Sequence, residues 1–205
     1  KLFSYYKKQN LKLDMSRGKP SSEQLDLSNV IFNYNGSFIS EEGYDCRNYG
    51  LPDGISEMKK IFAEMLGVSS ENVIVGNSSS LNMMYDAFAR AYLFGINGCE
   101  PWSKLNKVRF LCPAPGYDRH FAICEQFNMD MITIPMNDNG PDMDMVEELV
   151  REDELIKGIW CVPVYSNPTG VIYSDDVVKR LAGMKTKAAD FRIFWDNAYA
   201  VHHLY

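Results

Sequence analysis

The stretch Phe191-Arg192-Ile193-Phe194-Trp195-Asp196-Asn197-Ala198-Tyr199 begins apolar and aromatic, then delivers a carboxylate, an amide and a phenol in quick succession. Three further groups of chemical interest lie upstream: Ser78-Ser79-Ser80, Tyr117 within Pro115-Gly116-Tyr117, and Asn167 within Asn167-Pro168-Thr169-Gly170. A carboxylate such as Asp196 can bond a protonated ring nitrogen and keep it protonated. The amide of Asn167 and the phenol of Tyr199 can donate to a ring oxygen, and Tyr117 can stack on a flat heterocycle. Serines that open a helix add hydroxyl donors to backbone N–H groups at its positive end, which suits a phosphate. Together these groups would hold a phosphorylated aromatic heterocycle whose protonated ring is an electron sink. Taken singly, each has a plainer reading: Asp196 as a helix cap, the serines as a helix start, Tyr117 as packing and Asn-Pro-Thr-Gly as a turn. A metal site is discarded, because His202 and His203 are adjacent and point apart on either a helix or a strand, which leaves His120 without a companion.

Only a particular kind of fold brings such distant residues together. Helical spacing of Met58, Ile61, Phe62 and Met65 predicts a helix capped by Ser56 and ended by Gly67. Beyond it, strands are expected at 72–75, 107–112, 131–134, 158–162 and 191–195. Helices are expected at 81–94, 117–127, 142–150 and 174–184, the last opened by two acids that suit its positive end. Strands alternating with helices predict an α/β fold with a doubly wound, mainly parallel sheet and helices on both faces. In such a sheet ligands bind beyond the carboxyl ends of the strands, where all four groups would converge. Residues 95–106 read as an insertion-like loop. Residues 1–45 read as an N-terminal arm: a possible aromatic helix over 2–9, then an extended stretch over 10–43 with a turn at Ser16-Arg17-Gly18-Lys19-Pro20.

The 205 residues are 46% hydrophobic and 23% charged, which fits a soluble globular protein with a sizeable core. A net charge of -6 without a basic cluster argues against nucleic acid. No apolar run is long enough to span a membrane. The five scattered cysteines lack metal-ligand spacing and read as reduced thiols in a cytoplasmic protein. The absence of an initiator methionine suggests a trimmed start.

Asn167-Pro168-Thr169-Gly170 followed by Asp196-Asn197-Ala198-Tyr199 resembles the paired signature of fold-type I pyridoxal-phosphate aminotransferases of classes I and II. Ser16 to Pro20, Asp45-Cys46-Arg47-Asn48-Tyr49-Gly50, Pro115 to His120 and Trp195 to His203 are similar to a narrower group, the bacterial aspartate aminotransferases related to the MocR catalytic domain. The likeness runs along essentially the whole chain. It implies pyridoxal 5'-phosphate as cofactor, amino-acid and 2-oxo-acid substrates, and a homodimer. It divides the chain into an arm and small-domain contribution over 1–45 and the cofactor-binding large domain from 46 onward. It assigns Asp196 to the pyridine nitrogen, Tyr199 to the ring oxygen, and Asn167 to that oxygen and the substrate carboxylate. Tyr117 would stack on the ring and Ser78, Ser79 and Ser80 would form the phosphate loop. Tyr49 would reach the cofactor phosphate of the neighbouring subunit, and Gly18 would sit in the arm that closes over substrate. The family's Schiff-base lysine lies after Asp-x-x-Tyr, whereas the last lysine here is Lys187. The arginine that grips the substrate carboxylate is expected later still, so the sequence reads as the N-terminal part of a transaminase acting on aspartate and an acceptor such as 2-oxoglutarate. The alternatives are an effector-binding domain of a MocR-type regulator, or another pyridoxal-phosphate reaction on the same scaffold.

Overall fold

The computed structural model describes residues 1–12, 18–76 and 78–203. Ser16 and Arg17 of the arm motif, the start of its expected turn, and Asn77 of the serine turn lie outside the described residues. The chain falls into two compact units, Lys1–Val75 and Gly76–Tyr205.

The first unit is built from short helices. Helix α1 spans Leu2–Lys8, α2 Ser22–Asp26 and α3 Ser56–Leu66, with 3-10 turns at Asn29–Asn33 and Ser70–Asn72. The expected extended stretch over 10–43 is thus partly helical. Its nucleus is a capping box, in which Ser21 accepts from the Gln24 N–H while the Gln24 side chain accepts from the Ser21 N–H. Helix α3 ends on Gly67 in the left-handed conformation, φ +66°, as glycine at that position predicts. Its N-cap is Ile55 rather than Ser56, which is the first helical residue and donates instead to Glu57. The strand expected at 72–75 does not form. A strand needs a partner ladder, and these amides bond elsewhere: Val73 N–H to Ser70 O and Val75 N–H to Asp53 O.

The second unit holds helices α4 (Ser80–Phe94), α5 (Asp118–Gln126), α6 (Met143–Glu152) and α7 (Asp175–Gly183). Its strands are β1 (Arg109–Ala114), β2 (Asp130–Asn137), β3 (Gly140–Pro141), β4 (Ile156–Cys161) and β5 (Arg192–Trp195). The sheet order is β3-β2-β1-β4-β5, with only the two-residue β3 antiparallel. Strand side chains alternate between faces, so the sheet builds two cores. Leu111 and Ile159 face Met143, Val146 and Val150 of α6 and Val177 and Leu181 of α7. Phe110, Cys112 and Trp160 face Phe88 and Ala91 of α4 and Ile123 and Cys124 of α5. This is the doubly wound arrangement that the alternation predicts. Gly158 permits the close pairing at its centre: a Cβ there would lie 2.3 Å from Phe110 Cζ and 2.6 Å from Arg192 O.

Segment 95–106 is more than an inserted loop. It buries Trp102, whose indole N–H donates to Asp190 Oδ2 at 2.8 Å, and Lys157 Nζ donates to the other oxygen of that carboxylate at 2.7 Å.

Candidate functional site

The winding of the sheet determines where its crevice opens. From β1 the chain moves outward to β2 through α5, then returns across β1 to β4 through α6 and continues to β5 through α7. Winding therefore reverses between β1 and β4, and ligand crevices open beyond the strand ends at such a reversal. A cavity of about 160 Å³ lies there, lined by Ser80, Tyr117, Val162, Asn167, Asp196, Ala198 and Tyr199. Five of these residues are ones the sequence marks out for their chemistry, and they come from four separate segments.

Each is delivered by its own local device. Tyr117 follows β1 through a turn in which Gly116 is required, since a Cβ would lie 2.3 Å from Pro113 O and 2.9 Å from the Phe121 ring. Asn167 follows β4 on a loop closed by hydrogen bonds from Ser166 N–H to Val171 O and from Tyr173 N–H to Pro163 O, both 2.8 Å. Asp196 stands at the end of β5, where its N–H donates to Cys161 O at 2.8 Å and continues the ladder to β4. Tyr199 lies on the turn over 198–201 that follows. No described residue after Asp196 is helical, so the capping alternative is not realised within the described chain.

The three serines divide. Ser79 is the N-cap of α4 and accepts from the Asn82 N–H at 3.3 Å, Ser80 lines the cavity, and Ser78 is exposed without lining it. Tyr49 and Gly18 belong to the first unit, and Tyr49 is almost wholly exposed.

His120, unassigned from sequence, is the main addition. Its Nε2 lies 2.9 Å from Asp196 Oδ2, with the two side chains 1% and 12% exposed. An ionised carboxylate only accepts, so Nε2 carries the hydrogen in this pair. The imidazole stacks on Trp160 at 4.7 Å and 13°, and the Tyr117 ring meets it edge-on at 5.0 Å. The sequence held one usable signal: if α5 starts after Tyr117, His120 falls on its first turn, near the end of β1. Among the described residues no group of His, Cys, Asp and Glu is arranged for a metal. The cavity lining contains one carboxylate and no lysine or arginine.

Known proteins place this chain in a family. The whole chain, residues 1–205, matches the family described as aspartate amino-transferase. An aspartate aminotransferase from Corynebacterium glutamicum is 53% identical over 205 residues, covering 98% of this chain and 47% of the relative. A crystal structure of an aspartate transaminase from that organism superposes with a TM-score of 0.86 at 52% identity, over 96% of this chain and 47% of that one. A candidate aminotransferase from Corynebacterium diphtheriae gives 0.87 at 49% identity, over 96% and 49%. The chain spans about half the length of the curated relatives it matches. Matched to that family over residues 1–205 and 53% identical to the Corynebacterium glutamicum relative, the chain belongs to the aspartate amino-transferase family.

Proposed function

We propose that the protein carrying this chain transfers the amino group of an amino acid, aspartate foremost, to a 2-oxo acid such as 2-oxoglutarate, with pyridoxal 5'-phosphate in the cavity beyond β1, β4 and β5. The observation that carries the reading is the convergence of Ser80, Tyr117, Asn167, Asp196 and Tyr199 on one cavity. The 53% identical relative bears the name of that activity.

The donor set fits the cofactor. Asp196 is a nearly buried carboxylate that lines a cavity, and burying a charge is costly unless it is paired. His120 pairs one oxygen, which orients the carboxylate to accept from a protonated pyridine nitrogen. Tyr199 and Asn167 donate to the ring oxygen, Asn167 also meeting the substrate carboxylate, and Tyr117 offers its face to the ring. Ser80 and the opening turn of α4 supply hydroxyl and backbone donors for the phosphate, with Ser78 and Ser79 beside them. When bound, pyridoxal phosphate supplies a protonated ring that takes up the electron pair left on removal of an amino acid's α-proton. Asp196 keeps that ring protonated, Tyr117 restrains its tilt, and Asn167 and Tyr199 fix its rotation. The reading further includes a cytoplasmic homodimer, with Tyr49 reaching the neighbouring subunit's cofactor phosphate and Gly18 in an arm that closes over substrate.

The test is an absorbance spectrum of the protein as encoded, taken before and after adding aspartate. A visible band that shifts on addition supports the reading, and a protein without such a band, when supplied with pyridoxal phosphate, refutes it. Asp196→Ala should lower turnover by roughly 100-fold or more, the scale of a lost charge-stabilising contact at a reacting centre. Near-normal turnover in that variant would remove Asp196 from its role.

A further inference from the structure

We propose that Tyr165 is a positioning residue that sets the ring of Tyr199 at the edge of the cavity, an inference that rests on the functional reading above. Among the described residues four non-glycines have positive φ: Asn10, Asn97, Asn128 and Tyr165. Asparagine visits the left-handed region readily because its short polar side chain bonds locally, whereas an aromatic residue there is held against a steric penalty. Tyr165, at φ +49°, is therefore the exception. Such conformations persist where the surroundings over-determine them, and they cluster at functional sites.

The surroundings here are specific. Tyr165 lies inside the loop between β4 and α7, immediately before Ser166, which is 3% exposed. The bonds from Ser166 N–H to Val171 O and from Tyr173 N–H to Pro163 O close the loop on either side of it, and Gly170 N–H donates to Ser166 O at 2.5 Å. Relaxing φ at Tyr165 would break this closure. The half-buried ring meets Tyr199 edge to face, with centroids 6.4 Å apart and planes at 64°. That spacing and tilt fall in the range that aromatic pairs favour. Tyr199 lines the cavity and Tyr165 does not, so Tyr165 reaches a bound molecule through Tyr199. The same loop presents Asn167 two residues later, so one locked segment governs both donors to the ring oxygen.

The test separates the ring of Tyr165 from its backbone. In the protein as encoded, Tyr165→Gly keeps the left-handed conformation available and removes the ring, while Tyr165→Phe keeps the ring. Pyridoxal phosphate affinity, read by quenching of tryptophan fluorescence, and kcat/KM for aspartate are measured for both variants, alone and with Tyr199→Phe. Tyr165→Gly should weaken cofactor binding and lower kcat/KM by about tenfold, and Tyr165→Phe should stay within about twofold of the parent. With Tyr199→Phe present, Tyr165→Gly should add less than about twofold, because the residue it acts through has lost its phenol. Its thermal midpoint should stay within a few degrees of the parent's. Equal losses in both backgrounds, no loss, or a loss matched by a large fall in thermal midpoint would overturn the inference. If the parent binds pyridoxal phosphate but does not turn over aspartate, the functional reading fails. The affinity arms still decide Tyr165.

Discussion

Asp196 is legible from sequence as a carboxylate that ends an apolar strand, and that position has two meanings, cap or ligand contact. What the sequence does not show is its partner, His120, 76 residues away. Spacing along a chain cannot reveal a contact between the first turn of α5 and the residue that follows β5. The same limit applies to the serines: their types announce a helix start, but the path of α4 decides that Ser79 caps while Ser80 faces the cavity. The pair makes a prediction. His120→Phe keeps a ring to stack on Trp160 and leaves Asp196 Oδ2 without its partner, at a cost of about 1–3 kcal/mol for a buried unsatisfied acceptor. Adding Asp196→Leu removes that orphan, so the double variant should recover part of the loss in urea unfolding. A double variant less stable than the sum of the single changes would contradict the pairing.

At the scale of elements, the helices and most strands follow from periodicity, caps and glycines, and the exceptions share a cause. Residues 72–75 have strand-forming side chains but pair with no strand among the described residues, so their amides bond to a turn carbonyl at Ser70 and to the distant Asp53 carbonyl. Segment 95–106 has turn formers, yet Trp102 ties it into the core through Asp190, a long-range bond that no local pattern encodes. Asp190 also neutralises the buried Lys157, and removing one partner of a buried pair leaves an uncompensated charge. Asp190→Leu should therefore destabilise the protein by about 3–5 kcal/mol in denaturant unfolding, and Lys157→Met should offset much of this when combined with it. A mild effect of Asp190→Leu alone would contradict the assignment. Across the groove between α6 and α7, Arg180 donates to Glu147 at 2.9 Å and holds the Glu147 carboxyl below its ordinary value of 4.5. A depressed carboxylate adds stability that is complete above the unfolded value and is lost as pH falls through the folded one. The difference in thermal midpoint between the parent and Glu147→Gln should therefore be full at pH 7 and shrink below pH 4.5. An unchanged difference at lower pH would rule the clamp out. The effect should be small, because the pair is partly solvated.

At the scale of the molecule, the two units differ in how much they bury. In the second, β1 and β4 run through the middle of the sheet with a core on each face, whereas in the first Leu27, Val30, Ile31, Phe32 and Tyr49 are exposed. Local opening is cheapest where few apolar contacts resist it. In hydrogen exchange on this chain, amides of β1 and β4 should be the slowest and those of residues 18–43 should exchange far sooner. Similar protection in both regions would refute that ranking. The sequence alone determined the alternation of strands and helices, because a period near two or near 3.6 is local information carried by neighbouring side chains. It also determined which residue types could hold a phosphorylated heterocycle, and its motifs pointed to the family that the match over residues 1–205 then showed. Only the tertiary structure decided the strand order, the reversal between β1 and β4, the pairing of His120 with Asp196 and the left-handed Tyr165 beside Tyr199. The physical reason is range: strand order and cross-strand contacts depend on which distant surfaces bury one another, and that balance belongs to the packed chain as a whole.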